Sequence, residues 1–219
     1  MTPSEKLKEI ANQLRHPHGS KGMEMATMMQ ETNANMTAQA ISALAIGTHD
    51  AILEIGHGNA AHVLNLCNTY PSIHYQGLEV STLMHDLAKE NNLKLIDEGR
   101  AAFTLYNADS PLPYANDTFD KIFTVNTHYF WEEPRLMFAD IYRVLQPRGA
   151  FALTFGLKHF MQELPFTAYH FKLYEVEELQ EMAVTSGFKN QAFLQDTERI
   201  PSKTGEWVNR QFATLVFIK

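Results

Sequence analysis

Residues 51–63 read AILEIGHGNAAHV, and every other assignment in the chain is placed relative to them. Ala51, Ile52, Leu53 and Ile55 surround a single acid, Glu54, and glycines then alternate at Gly56 and Gly58 ahead of a helix-compatible run. The pattern predicts strand, tight turn, helix. Glycine at 56 permits a sharp reversal, Gly58 lets backbone approach a ligand with no Cβ in the way, and small Ala60 and Ala61 let the helix sit close to the sheet. This is a ligand-binding turn. GHGNAA also fits the dinucleotide pattern with alanine in its last place, so spacing alone leaves the ligand open.

Glu54 narrows the choice. A carboxylate at the strand end, two residues before the first glycine, repels a pyrophosphate and suits a cationic or amine-bearing ligand such as a sulfonium amino acid. Here the chain resembles class I S-adenosylmethionine (SAM) dependent methyltransferases of the small-molecule type, whose first motif is an acid followed by spaced glycines. Ala60 stands at the family's third glycine, a mild departure. The resemblance implies an α/β, Rossmann-like class I methyltransferase fold with a mainly parallel seven-stranded sheet, an antiparallel last strand and an N-terminal helical cap. It also implies SAM as cofactor, S-adenosylhomocysteine as product, and Glu54, Gly56, His57 and Gly58 as cofactor-binding residues.

Length and composition fit one such domain: 219 residues, 45% hydrophobic and 20% charged, are ordinary for a soluble globular protein. The net charge of −7, with Lys and Arg scattered singly, argues against a nucleic-acid partner. A lone Cys67 excludes an internal disulfide and reads as a buried apolar residue in a reducing, cytoplasmic setting. No apolar run reaches membrane-spanning length, and the opening MTPSEKLKEI lacks a signal-peptide stretch. The expected state is monomer or homodimer.

Upstream of the glycine turn, Leu7, Ile10, Ala11 and Leu14 predict an amphipathic helix over residues 4–14 with Ser4 as N-cap. Then come Gly19, Gly22 and five methionines, Met23, Met25, Met28, Met29 and Met36. Flexible, polarizable methionines beside two hinge-permitting glycines suggest an adaptable lid over a ligand, although methionines at helical spacing are more often core. A helix over residues 35–45 then leads into the first strand. Residues 1–45 are accordingly expected to form the cap or lid, and residues 46–219 the methyltransferase domain.

Downstream, residues 73–80 (IHYQGLEV) predict a second strand whose Glu79, beside Val80, lies about twenty residues past the glycines, where an acid can accept both ribose hydroxyls. Residues 101–108 predict a third strand, followed by Asp109 and Ser110. By the resemblance, Asp109 receives the adenine amino group; read alone, Asp-Ser-Pro is a turn opener. Residues 121–126 predict a fourth strand delivering Asn126, His128, Tyr129 and Trp131 to the rim of a cleft. Asn126 is a candidate cofactor contact. His128 is a candidate general base and Tyr129 a second catalytic candidate, against the plainer reading of aromatics anchoring the next helix and a structural histidine.

Glu132, Glu133 and Pro134 start a helix that ends at LQPRG, residues 145–149, before a fifth strand over 150–155; the Leu-x-Pro-x-Gly turn is the third family match. The aromatic and histidine-rich residues 156–171 are expected beside the acceptor. A helix over 175–186, stopped by Gly187, and strands over 190–195 and 211–218 complete the chain. The histidines form no metal-ligand pattern and no nucleophile elbow is present, so no metal is expected. The acidic charge and aromatic rim suggest a small apolar or weakly basic methyl acceptor. Two alternatives stay open: a NAD-dependent oxidoreductase, which leaves Glu54 and Asp109 without a role, and a SAM-binding module that transfers nothing.

Overall fold

A computed structural model describes residues 2–108 and 110–219. The apolar run ahead of the glycines is strand β1 (Ala51–Ile55), followed by α3 (Val63–Thr69), β2 (His74–Glu79), α4 (Thr82–Asn91), α5 (Leu93–Asp97) and β3 (Ala101–Leu105). Then come β4 (Phe119–Val125), α6 (Pro134–Val144), β5 (Leu145–Gly156), α7 (Lys158–Met161), α8 (Val176–Thr185), β6 (Lys189–Pro201) and β7 (Trp207–Ile218). The seven strands form one sheet in the order β3-β2-β1-β4-β5-β7-β6. Neighbours from β3 through β5 pair in parallel; β7 runs antiparallel to β5 and to β6.

Both faces of the sheet are covered, which is why β1 reads as a nearly unbroken apolar run. Alternate residues serve opposite cores. Leu53 and Ile55 pack with Phe138 and Ile141 of α6, Leu179 of α8 and Phe217, whereas Ile52 packs with Met36, Ala40, Val63 and Leu66 on the other side. Register places Glu54 opposite Gly77 of β2 and Phe123 of β4, so the acid sits at the centre of the sheet.

The N-terminal region departs most from the sequence expectation. Helix α1 (Pro3–Arg15) is capped by Thr2, whose side chain accepts from Glu5 N in a full capping box, rather than by Ser4. After His16–Pro17–His18, one continuous helix α2 runs Gly19–Ala43, where a glycine hinge and a shorter helix over 35–45 were expected. Gly22 is a close-approach residue: a Cβ there would lie 2.7 Å from Leu83 Cδ2 and 3.0 Å from the Pro17 carbonyl carbon. Met25 and Met36 are buried and Met23 is exposed, leaving Met29 as the methionine of this group that faces the cleft described below.

Smaller differences have local causes. Strand β5 starts at Leu145, inside LQPRG, because Leu145 pairs with Phe119 across a register shift. Strands β6 and β7 extend well beyond 190–195 and 211–218 into a long hairpin turning at residues 202–206. The expected helix over 175–186 is α8, opened by a Glu175–Glu178 capping box and followed by Gly187 at φ +107. No helix among the described residues is long and apolar enough to cross a membrane.

Candidate active site

The carboxyl ends of β1, β2 and β4 open into one cleft of about 1060 Å³, roofed by the α1–α2 junction and by the inner face of α2. The turn after β1 forms its floor. Gly56 (φ +76) and Gly58 (φ +57) both occupy the left-handed region, but for different reasons. A Cβ at 56 would lie 2.4 Å from Thr127 Cγ2, so this glycine lets the turn pack on the β4 loop. A Cβ at 58 would meet nothing within 4 Å and would project into open space, which is the cradle a close-lying ligand needs.

Glu54 is 3% exposed, and its Oε2 accepts hydrogen bonds from His62 Nε2 at 2.8 Å and from the Tyr75 hydroxyl at 2.5 Å. Burial pushes its carboxyl up, but the His62 charge and hydrogen bond, with the Tyr75 bond, outweigh that and hold it below the ordinary value. In return, burial pulls His62 down and Glu54 more than restores it, so the imidazole lies above its usual value. The result is an ion pair beside the glycine turn, its carboxylate buried and its imidazole partly exposed. His57 lines the cleft beside it; burial lowers its imidazole to about 4, so it is neutral near pH 7.

Glu79 is also buried, and its carboxylate is largely occupied by backbone: Gly58 N donates at 3.0 Å, Val80 N at 2.8 Å and Ser81 N at 3.0 Å. It ties the glycine turn to the end of β2, and desolvation keeps its carboxyl above the ordinary value. Val80 anchors the roof, its carbonyl lying 3.1 Å from His16 Nε2, and the Ser81 hydroxyl donates to the Pro17 carbonyl at 2.6 Å. Asp109 lies outside the described residues. Its neighbours Tyr106, Asn107 and Ala108 line the cleft, whereas exposed Ser110 does not; its carbonyl accepts from the Tyr106 hydroxyl.

Past β4, Asn126 adopts φ +59 and lines the cleft, donating to Asn33 Oδ1 on α2 at 3.2 Å. Tyr129 lies beside it, its hydroxyl donating to the Gly156 carbonyl at 2.9 Å; burial raises the phenol far above its usual value, so it stays protonated. His128 is not brought to the cleft. It is 1% exposed, set against Tyr129, Trp131, Phe155 and Tyr174, and neither ring nitrogen has a hydrogen-bond partner among the described residues. Burial pulls it down to about 3, so it is a neutral core group and the expected base is corrected on that ground.

The sequence reading missed the cleft's far wall. Arg210 on β7, 6% exposed, forms an ion pair with Glu198 of β6 at 2.6 Å and donates to Asn33 Oδ1 and the Thr32 carbonyl of α2. Lys203, from the hairpin loop, donates to Thr32 Oγ1 at 2.7 Å. Both cations line the cleft. Neither carries a motif; the period-two reading of the last strand began one residue too late to include Arg210.

A Rossmann-like sheet with a glycine cradle and acids, Glu54 and Glu79, near the ends of β1 and β2, roofed over a cavity of this size, is the frame of a ligand-binding α/β domain. Residues 52–149 match the family described as "Methyltransferase domain". The chain is similar to the uncharacterized methyltransferase YdaC of Bacillus subtilis (strain 168), 29% identical over 58% of this chain and 67% of that protein. It is also similar to ribosomal RNA large subunit methyltransferase G of Shewanella amazonensis, 26% identical over 71% of this chain but only 40% of the relative. In fold it resembles a Haloferax volcanii putative methyltransferase solved with the Trm112 activator: TM-score 0.73, 16% identity, 96% of this chain and 97% of that one. Family match over residues 52–149 and relatives point to a methyltransferase, and the strand order and solved structures show a Rossmann-like fold of the class I methyltransferase type.

Proposed function

We propose that this protein transfers the sulfonium methyl group of SAM to a small-molecule acceptor held in the same cleft. The observation that carries the reading is the cleft itself. Its roughly 1060 Å³ exceeds the ~300–1,000 Å³ typical of a site for one drug-sized ligand, and its two ends differ in chemistry. The glycine cradle and acids suit a cationic nucleoside; Tyr129, Phe130, Trp131 and Phe171 suit an apolar acceptor. A roof of two helices and a net charge of −7 favour a small molecule over a nucleic acid.

In this assignment Glu54, with His57, takes the methionine side, Gly56 and Gly58 admit the ribose, Glu79 and Val80 border it, and Asn126 closes the far side. Asp109 is assigned to the adenine by family resemblance; exposed Ser110, which does not line the cleft, is given no contact. SAM supplies a methyl carbon already activated by its positive sulfur: the acceptor lone pair attacks, and the carbon–sulfur electron pair leaves with S-adenosylhomocysteine. The protein's own task is alignment and exclusion of water. Glu54, kept ionised by His62 and Tyr75, offers the carboxylate side of its pair with His62 to the sulfonium end, and Tyr129, locked to Gly156, shapes the acceptor wall. No proton-taking role is assigned to His128.

Calorimetric titration with S-adenosylhomocysteine, followed by methyl transfer from labelled SAM across an acceptor panel, tests this. One-to-one product binding and label transfer to a small molecule are expected. Binding of NAD in place of S-adenosylhomocysteine would overturn the reading, as would tight binding with label transferred only to RNA.

A further inference from the structure

The cationic wall opposite the glycine turn is unbalanced. Arg210 and Lys203 both border the cleft, and the acid paired with Arg210, Glu198, is consumed by that guanidinium at 2.6 Å and by Asn35 Nδ2 at 2.7 Å. No carboxylate lies within 4 Å of the Lys203 ammonium among the described residues, and its hydrogen bond goes to a neutral hydroxyl, Thr32 Oγ1. A neutral hydroxyl does not compensate a half-buried charge. Three other acids of the cleft are spoken for: Glu54 by His62 and Tyr75, Glu79 by three backbone amides, Glu132 by Arg15 and Lys172; Glu31 also borders the cleft and makes no ion pair with Lys203. Glu31 stands exposed on α2.

This wall belongs to the acceptor's end. Arg210 and Asn126 share Asn33 Oδ1 as acceptor, and Asn126 meets the Tyr129 hydroxyl. Val208 and Phe171 also border this cleft and supply apolar surface. We propose that the methyl acceptor carries a carboxylate, which Lys203 neutralises while its apolar body lies along the aromatic wall. The argument rests on the methyltransferase reading above. The Lys203 ammonium has no carboxylate partner among the described residues; a singly charged carboxylate supplies one and a phosphate dianion overshoots. Lysine acts here as a point charge rather than a bidentate fork, since the guanidinium is already committed. It reverses the expectation of a weakly basic acceptor drawn from overall charge, because the local field at the site, not the net charge, meets the ligand.

The test uses three acids and their amides, 4-hydroxybenzoate, 3-phenylpropionate and octanoate, titrated into protein saturated with S-adenosylhomocysteine. At least one acid is expected to bind tenfold or more tightly than its own amide. Lys203→Met should reduce that preference to within twofold while S-adenosylhomocysteine affinity changes less than twofold; Lys203→Gln, which keeps the bond to Thr32, serves if the Met variant melts early. In the wild type the preference should also fade between pH 7 and 9, since burial and the Arg210 charge lower the ammonium to about 8. The inference is overturned if no acid outbinds its amide, including the case in which none binds, or if the preference survives in both variants. Should S-adenosylhomocysteine itself fail to bind, the methyltransferase reading falls separately, and the same titrations without it still decide the acid preference.

Discussion

His62 Nε2 lies 2.8 Å from Glu54 Oε2, joining the first turn after the glycines to the central strand through an ion pair whose carboxylate is buried. Glu54, held below its ordinary 4.5, contributes stability that is present above that value and lost as pH falls. His62, raised above 6.5, contributes stability that is full below that value and lost as pH rises through its folded value. The pair is therefore strongest between about pH 4.5 and 6.5. Melting curves from pH 5 to 9 should show the wild type losing its advantage over His62→Gln on the alkaline side; parallel profiles would remove the ion pair from the account.

The same carboxylate gives a binding prediction. Glu54→Gln keeps the shape and both donors' partner oxygen but removes the charge that the proposed function assigns to the sulfonium. A loss of about 1.5–3 kcal/mol, the range for hydrogen bonds to charged groups, corresponds to roughly tenfold or more in SAM affinity. Equal SAM affinity in calorimetry for the variant and the wild type would show that the charge plays no part.

The two glycines of the turn separate folding from binding. Gly58→Ala places a side chain in a left-handed conformation at about 1–2 kcal/mol and points its methyl into the cleft, so product affinity should drop at least tenfold with a modest fall in Tm. Gly56→Ala meets Thr127 Cγ2 at 2.4 Å and should instead lower stability further than it lowers affinity per folded molecule. If the two variants behave alike, the open space above Gly58 is not where the cofactor lies.

His128 and Tyr129, adjacent in sequence, should respond in opposite ways. His128→Phe replaces a neutral, unpartnered ring with an apolar one and is expected to keep Tm and leave turnover within threefold. Tyr129→Phe strips the hydrogen bond to the Gly156 carbonyl, costing about 1 kcal/mol and about 2–4 °C in Tm for a chain of this size. A hundredfold loss of turnover in a well-folded His128→Phe protein would restore a role as base.

Local chemistry was legible where it is written in consecutive residues. Residues 51–58 announced strand, turn and acid because glycine at alternate positions has few other uses, and the place of Glu79 at the end of β2 followed from its distance to them. His128 was misjudged because a strand end delivers backbone to the cleft without saying which side chains turn inward; His128 turned toward Phe155 and Tyr174 instead. Gly22 looked like a hinge because sequence shows a missing side chain but not Leu83 pressing into the gap. The cationic wall was beyond reach for a different reason. Arg210 meets Glu198 twelve residues away across a hairpin and Thr32 178 residues away, and no local pattern encodes such pairs.

Helix α2 gives Met36 and Ala40 to the core beneath the sheet and Met29 and Asn33 to the wall of the cleft. Occupancy and unfolding thereby become one equilibrium: a molecule seated against this helix resists melting of the entire chain. At a hundred times its dissociation constant such a ligand adds about 2.7 kcal/mol, enough to read on a thermal-shift plate. Screening for the unknown acceptor thus needs no turnover, only a heat ramp.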